Sequence, residues 1–435
     1  MRRLDYLNST AGQITLQRAR QLNTLHCMLE GHEPRSKNSI SSGEKIAFQA
    51  EVLKYMTGMK RRYFRAPVSI EFDFFPTKPN PPAAHTLPKN YLDLLSHPNK
   101  GVVTNRKRIV FEDDRQVQYL AVRYHIGHGQ TRPSIWMRTA PYRDLVADLA
   151  MLESIRNGSI AGDGNRRSFG RQASSWNELC DENGSRQDDY SAIESLRTLE
   201  RDKHTWVARF GEQTYKIMHT MKMREAQNQL LRALSMTPDK LICLLSPLFA
   251  GRNAQCFEDL HATTRQLMIS PPFAIDLAHH NLKEAGDSTR YREMVRKMIR
   301  GFGERFNYFL PLRVPVGISI LYQPPASGGI DLDNLARKIV PFVNEELKPP
   351  SNHLFDIDAS KIGSGEHRRW FEQKRAVIKG MPKYSIVGYQ VIQLPRLTTD
   401  GKHGFVRLIL ETGELFESLW SRTTRMIDKW TESLR

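Results

Sequence analysis

The sequence predicts an α/β fold of the α+β kind, in which one α/β unit occurs twice with a helical segment between the copies. Three observations predict it. Residues 65–76 and 313–324 align without gaps at an offset of 248, pairing Pro67 with Pro315 and Pro76 with Pro324. Their flanks repeat in the same order. Between them the composition changes to Gly, Ser, Asn and Arg over residues 156–189.

Each aligned segment reads as a strand. Val68, Ile70, Phe72 and Phe74 alternate, as do Val316, Ile318, Ile320 and Tyr322, which is the period of a strand with one apolar face, here closed by a proline turn. Upstream, residues 48–58 match 291–301 as a short amphipathic helix ending in Gly58 or Gly301. Still further upstream, residues 33–38 and 270–273 open the two units. Downstream, 117–124 and 386–394 read as strands, 134–138 and 405–410 as further strands, and helices follow each. The two units span roughly 30–150 and 268–425.

These boundaries divide the chain into an N-terminal module (1–150), a polar flexible linker (151–190), a helical insert (191–267) and a C-terminal module (268–435). The insert regains helical periodicity through Ile193, Leu196 and Leu199, then Met218, Met221, Ala226, Leu230, Leu231 and Leu234. Its methionines read as core filler.

Composition narrows the function classes. With 40% hydrophobic residues in 435, the chain has material for real cores, but no run of eighteen apolar residues, so no membrane partner is expected. The Met-Arg-Arg start carries no apolar stretch of a secretory signal. Four cysteines without a C-x-x-C pair argue against structural zinc and a disulfide framework, and point to a reducing cytoplasmic location. The net charge of +17 favours a polyanionic partner, since displaced counterions supply sequence-independent affinity. No P-loop, G-x-G-x-x-G strand–helix, H-E-x-x-H or G-x-S-x-G pattern occurs, which disfavours ATPase, dehydrogenase, zinc protease and serine hydrolase.

The chemistry-bearing residues lie in Gly328-Gly329-Ile330-Asp331-Leu332-Asp333-Asn334-Leu335-Ala336-Arg337-Lys338. A glycine turn leads to two acids one residue apart, then to an amphipathic helix. One Asp is explained as a helix cap, a role for which Asn334 competes. Two adjacent carboxylates repel unless a cation neutralises them, and Mg²⁺ or Mn²⁺ is the natural occupant. Further acids lie roughly 25 residues on, at Asp356 and Asp358, and in the first unit in Glu112-Asp113-Asp114-Arg115-Gln116-Val117.

These residues resemble the RusA-like Holliday junction resolvases, whose pattern is a strand, a basic or proline-rich turn, D-x-D-N-L-x-K opening a helix, then D-D-x-Q-[VI] entering another strand. The second unit carries Asp331-Leu332-Asp333-Asn334-Leu335, and the first carries Asp113-Asp114-Arg115-Gln116-Val117. The resemblance covers most of both units but not residues 150–265. It implies RusA-like modules, each a small mixed sheet flanked by helices, a dimer with paired sites, and Mg²⁺-dependent cutting of branched DNA. In the first unit the D-x-D-N position reads Asn90-Tyr91-Leu92-Asp93, with Ser96 where the family has lysine; in the second, Arg337 takes the lysine position beside Lys338.

The resulting expectation is a fused pseudo-dimer with one retained site: Asp331 and Asp333 as metal ligands, Asp356 or Asp358 as third acid, and Arg337 or Lys338 offsetting transition-state charge. A second arrangement has Asp113 or Asp114 complete that site across the pseudo-dimer interface. Basic runs at Lys60, Arg61, Arg62 and Arg65, at Arg106, Lys107 and Arg108, and at Arg368 and Arg369 lie close in sequence to these elements and read as phosphate contacts. Aromatics interleave the first run at Tyr63 and Phe64, as in base-stacking surfaces. The function expected is a Mg²⁺-dependent, structure-specific endonuclease acting on branched or otherwise non-duplex DNA. The alternative is a catalytically inactive DNA- or RNA-binding subunit of a larger protein assembly.

Overall fold

The computed structural model describes residues 6–7, 9–78, 81–125, 131–156, 191–234, 238–250, 274–277, 288–305, 314–325, 329–347, 365, 369, 386–395, 404–413 and 416–434. The N-terminal half runs α1 (Thr10–Leu22), β1 (Leu25–Glu30), α2 (Ser42–Gly58), β2 (Val68–Phe75), α3 (Leu87–Ser96), β3 (Val117–Tyr124), β4 (Ser134–Pro141) and α4 (Tyr142–Arg156). Helices α5 (Ser191–Arg201), α6 (Lys203–Phe210), α7 (Glu212–Leu234) and α8 (Pro238–Phe249) follow. The C-terminal half runs β5 (Ala274–Leu277), α9 (Ser288–Arg305), β6 (Val316–Gln323), α10 (Leu332–Leu347), β7 (Ile386–Gln393), β8 (Phe405–Thr412) and α11 (Leu419–Ser433).

All these strands join one mixed sheet in the order β1-β4-β2-β3-β7-β6-β8-β5. β2 pairs parallel with β3 and antiparallel with β4, and β4 pairs antiparallel with β1. β6 pairs parallel with β7 and antiparallel with β8, and β8 pairs antiparallel with β5. The parallel neighbours require crossovers, which α3 supplies in one half and α10 in the other. A register irregularity falls between Val68 and Ser69 and again between Val316 and Gly317. The two sets of strands meet at an antiparallel β3–β7 seam running from Tyr119 opposite Ile392 to Arg123 opposite Gly388.

The alternation read from the sequence sets one face of the sheet. Val68, Ile70, Phe72 and Phe74 join Val316, Ile318, Ile320 and Tyr322 in a core shared with α2, α9 and α10. The opposite face packs on α4, α8 and α11 through Leu149, Leu245, Trp420 and Ile427, so both β2 and β6 are buried along their whole length. Helix α8 touches both α4 and α11, covering the two halves together. Several polar groups trapped in this layer are paired. The Tyr119 hydroxyl donates to Gln390 Oε1 at 2.9 Å across the seam, the Tyr142 hydroxyl donates to the Gln393 carbonyl at 2.5 Å, and Glu71 accepts from Arg138 and Ser418.

Local signals account for the other elements. Ser41 and Glu44 form a capping box that starts α2 six residues before the predicted helix. In β1, Leu25, Cys27 and Leu29 face inward and His26, Met28 and Glu30 outward, a period-two pattern the sequence reading passed over. The linker boundary at 151 is corrected: α4 continues to Arg156, and Met151 and Leu152 are core residues. Among the described residues no helix is long and apolar enough to cross a membrane.

Candidate metal centre

The loop after β6 leaves the sheet beside the turn that enters β3, because β6 is parallel to β7 and β7 antiparallel to β3. Tyr322, the penultimate residue of β6, holds this loop by accepting from Ile330 N at 3.1 Å. Asp331 then stands at the start of α10: its carbonyl accepts the Leu335 N–H at 2.9 Å, the first bond of the helix. The Asn334 amide donates to the Asp331 carboxylate at 3.1 Å. Asn334 therefore orients Asp331 instead of competing with it for the cap.

Asp333, in the first turn of α10, is 2% exposed, and neither carboxylate oxygen has a hydrogen-bond partner. A carboxylate at that depth without a hydrogen bond costs several kcal/mol unless it is neutralised. Burial, opposed by Lys89 and reinforced by the charges of Asp114 and Asp331, pushes the Asp333 carboxyl up to about 6.

The third acid comes from the other half of the chain. Asp114 opens the 3-10 turn Asp114–Gln116 before β3, and one carboxylate oxygen each from Asp114, Asp331 and Asp333 lies within 4.8 Å of the others. This group could hold a metal ion. Asp113 does not join it: its exposed side chain caps the turn by accepting from Arg115 N at 3.0 Å, a bond that lowers its pKa. Gln116 clasps the turn, accepting from Glu112 N and Asp113 N at 2.6 and 3.1 Å and donating to the Arg65 carbonyl at 2.8 Å. The glutamine of the acidic motif thus has a positioning role.

Lys89, on α3, reaches the same point. Its ammonium group is 2.5 Å from Asp114, 3.4 Å from Asp93 and 3.7 Å from Asp333. Burial alone would lower the Lys89 pKa, but the Asp114 hydrogen bond and the charges of Asp333 and Asp93 carry it well above its ordinary value. For Asp114, burial and the neighbouring Asp113 and Asp331 outweigh Lys89, and the net shift is upward. Sequence reading missed Lys89, although the repeat's offset of 248 pairs it with Arg337, the position given to the lysine; its contact with Asp333, 244 positions away, leaves no local signal.

The remaining expected site residues separate. Arg337 is exposed one helical turn beyond Asp333, on the same face of α10. The Lys338 ammonium group lies over the Tyr291 ring of α9, 5.9 Å from the centroid. Asp356, Asp358 and Arg368 lie outside the described residues; Arg369 is exposed. The expected N-terminal counterpart of the acidic pair, Asn90–Asp93, is corrected: at the repeat's offset of 248, Asp331 and Asp333 correspond to Ala83 and His85, and Asp93 is paired with Lys37 at 2.7 Å.

Two of the basic runs form one surface next to the acidic turn. Arg106 donates to the Arg61 carbonyl at 2.8 Å, and Phe64 N donates to the Val110 carbonyl at 2.6 Å. Lys60, Arg62, Arg65 and Lys107 are exposed there, with Arg61, Arg106 and Arg108 half-buried. Phe64 is corrected as a stacking residue: it is a core side chain 7% exposed, and Arg61 lies over its ring at 4.6 Å.

In comparisons with family models, curated proteins and solved structures, nothing matches this chain.

Proposed function

We propose that this chain is a Mg²⁺- or Mn²⁺-dependent, RusA-like endonuclease, a fused and diverged pair of modules with one composite site that nicks branched or otherwise non-duplex DNA. The observation that carries this reading is the convergence of Asp114 from one half with Asp331 and Asp333 from the other, around a buried carboxylate lacking any hydrogen bond. The matching strand order and the recurrent register irregularity support the descent of both halves from one unit. The loop corresponding to the D-x-D turn in the first half, residues 76–86, contains no carboxylate. A single site suits one cut in one strand better than paired symmetric cuts.

The donor set fits a hard divalent ion: oxygen ligands only, with a net negative charge. Asp331, Asp333 and Asp114 would hold it, and when bound it supplies Lewis acidity toward a phosphate oxygen and toward water. The chain's own residues do the rest. Asn334 and Gln116 hold two of the carboxylate-bearing turns in place, Arg337 stands one turn away to offset phosphate charge, and the exposed arginines and lysines beside Asp114 track the backbone of the nucleic acid.

Two measurements test this. Asp331→Asn is expected to reduce Mg²⁺-dependent nicking of a labelled branched DNA to background while binding stays equal or becomes tighter. Binding without nicking by the unaltered chain, across Mg²⁺ and Mn²⁺ and several branched substrates, would instead favour the clamp reading, in which Lys89 already neutralises part of the cluster. Replacing Arg62, Arg65 and Lys107 by Ala is expected to weaken binding by ~10-fold or more at low salt and to lower the salt slope by about two to three. An unchanged slope would move the nucleic-acid surface elsewhere.

A further inference from the structure

We propose that the centre is built for a single divalent cation, with the ammonium group of Lys89 standing where a second cation would otherwise bridge the two halves. This rests on the metal-dependent reading above and specifies its stoichiometry. Asp333 supplies the observation independent of the cluster itself: a carboxylate 2% exposed, both oxygens without hydrogen bonds, directed at the other two acids.

The charges balance for one ion. The three carboxylates carry −3 and Lys89 carries +1, leaving the −2 that one divalent ion neutralises. Asp93 lies between two ammonium groups, Lys37 at 2.7 Å and Lys89 at 3.4 Å, and Lys37 offsets its charge. The positions agree with the charges. Lys89 contacts Asp114 at 2.5 Å and Asp333 at 3.7 Å, the two acids contributed by opposite halves. Asp331 takes its hydrogen bond from Asn334 at 3.1 Å instead. A two-ion phosphodiester site places its cations roughly 3.5–4 Å apart, and an ammonium bridging two of the three ligands already supplies the positive charge a second ion would bring. The lysine comes from α3, whose packing on α10 through the turn Ala84–Thr86 fixes it there.

The experiment is a Mn²⁺ titration of the full chain, read by calorimetry and by the electron spin resonance of free Mn²⁺, on the unaltered protein, Lys89→Met, Lys89→Gln and Asp333→Asn. One ion is expected for the unaltered protein. Both Lys89 variants are expected to bind a second ion, or one ion at least ten times more tightly, and to gain more in melting temperature from Mn²⁺ than the unaltered protein does. Two ions in the unaltered protein, or Lys89 variants with unchanged number and affinity, overturn the single-ion proposal and leave the metal site standing. Binding by none of the four overturns the metal reading itself and this proposal with it. Melting curves without Mn²⁺ establish that each variant is folded, and Lys89→Gln keeps a donor toward Asp114 should Lys89→Met fail to fold.

Discussion

Asp333→Asn is expected to destroy divalent-ion binding and nicking while making the ion-free protein more stable. The side chain is 2% exposed and unbonded, and its carboxyl sits at about 6 in the folded chain against an ordinary value of 3.8. Between these two values the unfolded chain has released the proton and the folded one has not, so stability falls as pH rises through the window and stays lowered above about 6. The full penalty is about 3 kcal/mol at neutral pH and above. Asparagine cannot ionise and escapes it. Saturating Mn²⁺ should reverse the order, because an ion at ~1,000 times its dissociation constant stabilises the unaltered chain by about 4.1 kcal/mol and the variant not at all. Thermal melts at pH 8 in chelator and in Mn²⁺ read both effects. A variant that melts below the unaltered protein in chelator would show that the Asp333 charge is already satisfied without an ion.

Glu411→Gln is expected to flatten the pH dependence of stability in the alkaline range. Glu411 lies on β8, 1% exposed, accepting from Ser319, which in turn accepts from Gln390 at 2.7 Å; Gln390 also accepts from Tyr119 across the seam. Burial pushes its carboxyl up to about 8, with the Ser319 and Gln390 contacts pulling the other way. The unfolded chain ionises near 4.5, so stability is highest at acid pH, falls as pH rises toward 8 and levels off beyond it. The total loss is at most about 4–5 kcal/mol. Glutamine keeps the shape and an acceptor for Ser319 and carries no charge at any pH. Melting temperatures from pH 5 to 9 should diverge, the variant gaining most at pH 9; parallel curves would mean that Glu411 does not ionise in this range.

The elements that sequence patterns located are those whose burial is set by their immediate neighbours. Strands β2, β3, β6 and β7 fall at or within one residue of the expected spans because alternation of apolar residues is a local property that the sheet only confirms. Strand β1 also alternates, but six residues carry a weak signal. The acidic pair Asp331 and Asp333 was legible for a similar reason: two carboxylates at a strand–helix turn conflict with each other whatever surrounds them. The third acid was not singled out, since nearness along the chain favoured Asp356 and Asp358, while Asp114 was one of several acids in a turn more than 200 residues earlier.

By itself, then, the sequence determined the period and order of the sheet-forming segments, the basic character of the chain, and the place of two neighbouring carboxylates. Tertiary structure decided which third carboxylate joins them and that a lysine from the opposite half stands among them. The physical reason is the β3–β7 seam. Antiparallel pairing there turns the loop after β6 and the turn before β3 toward the same end of the sheet, and such long-range apposition leaves no trace in the periodicity of either segment.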